Sequence, residues 1–172
     1  GQGKINPQWE YGTDGDYGCS IAVDSSHNTY TINRVGIITK LDPQGDSLFT
    51  IVPPPNQFNM LGHIMLDHDG NLIVASTKYV SPDKFMLVEK YSPSGGLIWS
   101  LPINTPLYNQ EEVLALSIDD QNNIYITGKD ADSGLLAAQY TVKVSNTGSL
   151  VWGSSFGNPT MESQGNAIAV FD

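Results

Sequence analysis

One pattern recurs along this chain and limits what it can fold into. Asp24–Asn28 (DSSHN), Asp67–Asn71 (DHDGN) and Asp119–Asn123 (DDQNN) share the form Asp-x-x-x-Asn. Each follows an apolar run (IAV, IML, LSI) and precedes another (TYTI, LIVA, IYIT). Downstream, Lys40, Lys90 and Lys143 each stand nine residues before a large aromatic, Phe49, Trp99 and Trp152, with a turn at Gly45, Gly95 or Gly148 between them. Two markers in fixed order, one at constant internal spacing, define a repeated unit.

The unit reads as four short β-runs joined by turns. Its runs are built from Ile, Val, Tyr, Thr and Leu in partial alternation, and Asx and Gly clusters punctuate them. Asp at the head of the first turn bonds local backbone, and Asn or Gly at its end tolerates positive φ; the glycine near each Lys-to-aromatic segment does the same for the second turn. The expected architecture is all-β, with four-stranded antiparallel sheets and essentially no helix. A sheet this small buries too little alone, so copies must stack, and the large aromatic on the last strand can fill the space between neighbours. A period of roughly 40 to 53 residues is that of a β-propeller blade.

Three complete blades are expected at about 20–53, 62–103 and 114–156, with partial strands at 1–12 and 166–172. Lys4 and Trp9 resemble the Lys-to-aromatic segment with a shortened turn, and Ala167–Val170 matches Ser20–Val23, although Phe171 stands where the Asp would be. The insert Asp130–Gly134 reads as exposed. Inward positions should include Ile21, Val23, Leu66, Ile73, Leu116, Ile118, Ile124 and Ile126. Three blades plus remnants are too few for a closed ring, so further blades of the same chain or identical copies are expected to complete it, and an isolated monomer should be poorly stable.

Charge narrows the partners. Eighteen acidic against eight basic residues give −10, which disfavours nucleic acid and anionic membrane surfaces. No apolar run reaches the length of a spanning helix, so membrane insertion is not expected. The one cysteine, Cys19, precludes an internal disulfide and reads as a small buried apolar residue.

The stretches SIAVDSSHNTY, HIMLDHDGNLIV and LSIDDQNNIYITG, each followed by a K-[LYV]-[DS] segment with its Gly and aromatic, resemble the SBBP family of bacterial β-propeller repeats and, more loosely, NHL-type propellers. The likeness spans nearly the whole chain and is carried by Asp24, Asn28, Tyr30 and their equivalents. It implies a secreted or cell-surface bacterial protein, often built from several modules, and leaves activity open. Phe49 departs from the family's Trp, and the glycine closing the second strand occurs only as Gly128.

Candidate chemistry is sparse. Asp67, Asp69 and Asn71 alternate oxygen ligands as a calcium loop does, and Asp14 and Asp16 lie in a glycine-rich turn. Since Asp-x-x-x-Asn recurs in every unit, a hairpin turn is the main reading, no cofactor is assigned, and a calcium-stabilised repeat is the alternative. His63, at a strand start, and His68, at a turn tip, flank these residues, but their spacing implies no convergence on a metal. Glu111 and Glu112 are adjacent and should point to opposite faces. No nucleophile, phosphate-binding or zinc-protease motif is present. The aromatics Phe58, Tyr79, Phe85 and Tyr108 lie in or beside loops and either pack over blade edges or form a surface for a glycan or peptide. The expectation is a non-enzymatic binding or scaffold module with a protein or glycan ligand, against the alternative of a propeller hydrolase or lyase whose site is assembled from inter-blade loops.

Overall fold

The computed structural model describes residues 18–54, 58–81, 83–104, 110–131, 137–157 and 163–170, and for residues 58–61 the backbone alone. Twelve strands form three four-stranded antiparallel sheets with strands in sequence order. Blade 1 holds β1 (Gly18–Val23), β2 (Thr29–Asn33), β3 (Ile38–Leu41) and β4 (Ser47–Ile51). Blade 2 holds β5 (Phe58–Leu66), β6 (Leu72–Val80), β7 (Asp83–Tyr91) and β8 (Leu97–Ile103). Blade 3 holds β9 (Glu112–Ile118), β10 (Ile124–Asp130), β11 (Ala138–Val144) and β12 (Leu150–Phe156). The first strands lie side by side, β1 against β5 and β5 against β9. The described residues therefore have the all-β, blade-by-blade organisation expected from the repeat. The segments 1–12 and 171–172, Asp14, Asp16, Tyr108 and the side chain of Phe58 lie outside the description.

The Asp-x-x-x-Asn marker forms the turn between the first two strands of every blade. The Asp amide donates to the Asn carbonyl at 3.0, 2.9 and 3.0 Å in blades 1 to 3. The Asn amide returns a bond to the Asp carboxylate at 2.9, 2.8 and 2.7 Å. Positive φ falls one residue earlier than expected, at His27, Gly70 and Asn122. The final Asn is kept for its side chain, whose Nδ2 donates to the Asp Oδ2 at 2.8, 3.0 and 2.9 Å. The second turn has Gly45, Gly95 and Gly148 at positive φ, as expected.

Two apolar layers hold the blades together. Tyr30, Ile32 and Ile38 of blade 1 meet Ile64, Leu72, Val74 and Tyr91 of blade 2. The opposite face of blade 2, with Ile73, Ala75, Met86 and Val88, meets Val113, Ile124, Ile126, Val142 and Val144 of blade 3. Strand alternation thus gives each blade one face toward its predecessor and one toward its successor.

That alternation corrects part of the expected core. Ile73, Ile124 and Ile126 are buried, and Leu66, Leu116 and Ile118 pack against the layers. Ile21 and Val23, however, are 65% and 56% exposed. They occupy the positions of Ile64 and Leu66 and point to the same face, the one a preceding blade would cover. Cys19 is half-buried beside the first layer. Asp130, expected in an exposed insert, instead ends β10 fully buried.

Gly128 carries the bulge between β9 and β10. A Cβ there would come within 1.8 Å of the Glu112 carbonyl oxygen, so only glycine lets the strands approach. Near the other end of the description, the Ser163 amide donates to the Ala137 carbonyl at 2.7 Å and the Gly165 amide to the Gly128 carbonyl at 3.0 Å, which ties residues 163 and 165 to blade 3.

Candidate functional site

The two sequence markers meet in space. Lys40, Lys90 and Lys143 on the third strands reach the Asp24, Asp67 and Asp119 carboxylates at 3.4, 2.8 and 3.5 Å. In blades 1 and 3 the ammonium also lies over an aromatic face, Lys40 at 4.7 Å from the Tyr30 centroid and Lys143 at 4.8 Å from that of Tyr125. Burial alone would raise the three carboxyls. Hydrogen bonds from the partnered Asn, together with the nearby lysine, overrule it and hold Asp24, Asp67 and Asp119 below the ordinary aspartate value.

The stations of blades 1 and 2 also grip the next blade. Lys40 Nζ donates to the Pro93 carbonyl at 3.1 Å, and Lys90 Nζ donates to Asn146 Oδ1, so each lysine bonds the second residue of its neighbour's outer turn. Phe49 packs on Gly95, and Trp99 on Gly148, with Trp99 Nε1 donating to the Asn146 carbonyl at 3.1 Å. Trp152 and Lys143 offer the same pair of groups at the far face of blade 3, where Trp152 is 42% exposed. In the sequence the Asp and the Lys are separate markers, and their joint recurrence is the signal that they form one unit.

The calcium candidates are engaged with one another. Asp67 bonds Asn71 and Lys90, and Asp69 Oδ2 accepts from Asn122 Nδ2 at 3.0 Å. An ammonium thus stands beside Asp67 where a cation would bind. His68 bonds Asn122 from its amide at 2.9 Å and ties the inner turns of blades 2 and 3. His63 lies within β5 rather than at its start, and burial lowers its affinity for a proton. Among the described residues no three His, Cys, Asp or Glu side chains cluster in a way that would hold a metal.

Glu111 lies just before β9 and Glu112 opens it. Glu111 is buried, whereas Glu112 takes Lys84 at 2.5 Å and Lys129 at 3.1 Å. Burial would raise the Glu112 carboxyl, but the two lysines lower it. Tyr140 is pushed up by burial and then by the Asp130 and Glu111 charges.

A groove of about 320 Å³ lies between blades 1 and 2. It exists because the middle strands of blade 1, β2 and β3, have five and four residues, whereas β6 and β7 of blade 2 have nine each. The long hairpin overhangs the short one. Ile38, Ile51 and the prolines at 53 and 54 form one wall, and Phe85, Leu87 and Pro102 the other. Lys78, Glu89, Tyr91 and Ser100 also line it. Of the loop aromatics singled out in the sequence, Phe85 lines this groove and Tyr79 is half-buried in β6.

No family model and no curated protein matches the chain. Among solved structures, a protein of unknown function from Bacteroides caccae is similar at 14% identity and a TM-score of 0.61, over 96% of this chain and 54% of that one. A eukaryotic initiation factor is similar at 10% identity and a TM-score of 0.56, over 91% of this chain and 37% of that one. The chain therefore spans about half of the first structure's length and about a third of the second's. The shared property is the fold, a propeller-like succession of blades.

Proposed function

We propose that the chain is a non-enzymatic binding or scaffold module of a secreted or cell-surface protein, of the SBBP-type repeat class, that engages a protein or glycan ligand. The observation that supports this reading is where the recurring charge goes. The Asp–Lys pair of every blade closes a turn within the blade, and in blades 1 and 2 the lysine also bonds the next blade. Those groups join one blade to the next and leave recognition to the surfaces that differ between blades.

The module's first partners are further blades, from the same chain or from identical copies, which would cover Trp152 and Lys143. A glycan array and a pull-down from the source separate lectin-like binding from protein scaffolding, and the reading expects a saturable partner in one of them. Robust turnover of a substrate by the purified chain would replace it with the enzyme reading.

A further inference from the structure

Lys78 is 3% exposed and lines the groove. Among the described residues no hydrogen bond or ion pair holds its ammonium; its one electrostatic partner is Glu89, whose own carboxyl is bonded by Tyr91 and Ser100. Ser76 Oγ, on the same face two residues away, is also buried without a partner. A cation largely withdrawn from water without a hydrogen bond or close ion pair is costly, and its usual complement is an anion.

We propose that the groove between blades 1 and 2 binds a small amphipathic monocarboxylate, its carboxylate on Lys78 and its apolar body along Ile38, Ile51, Phe85 and Leu87. Charge selects this class. One ammonium suits a single negative charge, whereas a dianionic phosphate would meet too little positive charge. A neutral ligand would leave Lys78 as it is. The walls carry few donors and acceptors for a sugar, and they present aliphatic, proline and phenyl surface that a hydrocarbon chain would cover. The size agrees as well. A volume of about 320 Å³ is within the range of small-molecule sites. Burial pushes the Lys78 ammonium below the ordinary lysine value. The inference goes beyond the module's protein or glycan partner and does not rest on it.

Calorimetric titration of the full chain with octanoate and with octan-1-ol tests the site. Octanoate should saturate one site and bind about tenfold or more tighter than the alcohol, the scale of one charge-assisted hydrogen bond. Lys78→Met should bring octanoate down to the alcohol's affinity and leave the alcohol unchanged. Equal affinity of the two probes, no saturation with octanoate up to about 10 mM, or unchanged octanoate binding in K78M would overturn the proposal. Should K78M lose the β-sheet circular dichroism signal, Pro102→Trp decides, because it fills the groove from an exposed position on β8. That variant must abolish octanoate binding, and undiminished affinity would sink the site.

Discussion

Trp99 of blade 2 sits so close over Gly148 of blade 3 that a Cβ on the glycine would lie 2.7 Å from the indole Cδ2. The same glycine has φ +82, so one residue serves both the turn and the joint between blades. Phe49 repeats the arrangement over Gly95, at 3.2 Å from such a Cβ. At Gly70, also at positive φ, the nearest atom is Pro93 Cγ at 4.0 Å, so the backbone alone favours glycine, and the equivalent turns hold His27 and Asn122.

The three glycines therefore give a graded prediction. Gly70→Ala should cost about 1 kcal/mol, the strain of a left-handed alanine. Gly95→Ala should cost more, and Gly148→Ala most, by about 1–3 kcal/mol beyond Gly70→Ala as the indole is displaced. Urea midpoints at constant slope measure the order. Equal losses at all three positions would mean that the aromatics do not seat the blades.

Lys90 and Asp67 form the most buried of the three stations, with side-chain exposures of 7% and 0%. Lys90→Met should destabilise by about 3–5 kcal/mol, because it strands a buried carboxylate. Adding Asp67→Asn to K90M should recover part of that loss. The cycle of single and double variants measures the coupling, and strictly additive losses would show that the pair does not act as one unit. Lys40→Met and Lys143→Met should cost less, since their ion pairs are longer and more exposed.

Acid should unfold the chain through these carboxylates. Asp24, Asp67 and Asp119 all titrate lower when folded. In the window below the unfolded value of about 3.9, the unfolded chain therefore binds more protons than the folded one. Their stabilisation is complete above that window and is lost as the pH falls through the folded values. Glu89 runs the other way. Burial raises it, so its contribution favours folding below the unfolded glutamate value of about 4.3 and fades as the pH rises through its folded value. Thermal midpoints should thus fall below about pH 4, and Asp67→Asn should flatten that limb. An acid limb of unchanged steepness in the variant would remove Asp67 from this account.

Lys78 makes a prediction about stability as well as binding. Without an anion its charge opposes folding, so Lys78→Met should raise stability at neutral pH by about 1 kcal/mol. Its folded value is lowered. Between that value and the unfolded lysine value of about 10.4, the unfolded state binds more protons. The wild type should therefore gain on K78M as the pH rises through that window. Denaturation at matched alkaline pH values checks this, and a constant gap would mean that Lys78 is not the titrating group.

Much of this was legible in the residues. Asp24, Asp67 and Asp119 marked each first turn, and Gly45, Gly95 and Gly148 each second turn, because turn chemistry is local. Alternation also gave the facing of Ile21 and Val23. It could not give their exposure, since burial depends on whether another blade is there to cover the face. The groove was hidden for a related reason. It arises from unequal strand lengths in adjacent blades, and strand ends vary where the repeat carries no marker. The one signal was Lys78 itself, which continues the register of Leu72, Val74 and Ser76 on the face turned toward blade 1.

The far face of blade 3 yields the last prediction. All seven residues of β12 are exposed, with Trp152 at 42% and Phe156 at 78%. Trp152 touches Tyr125 edge-on at 6.2 Å, whereas Trp99 is seated in a neighbouring blade. Trp99→Ala should cost about 3–5 kcal/mol and Trp152→Ala about 1 kcal/mol or less. An exposed edge strand with large apolar groups templates association. The chain alone should therefore associate as concentration rises in light scattering, and Trp152→Gln with Phe156→Ser should weaken that association while lowering the urea midpoint far less than Trp99→Ala does. The pair of groups that Trp99 and Lys90 present to blade 3 is repeated by Trp152 and Lys143, so a successor blade bearing an outer turn with a positive-φ glycine is the cover this face fits. A cooperative monomer at every concentration, unaffected by the double substitution, would show that the face is stable uncovered.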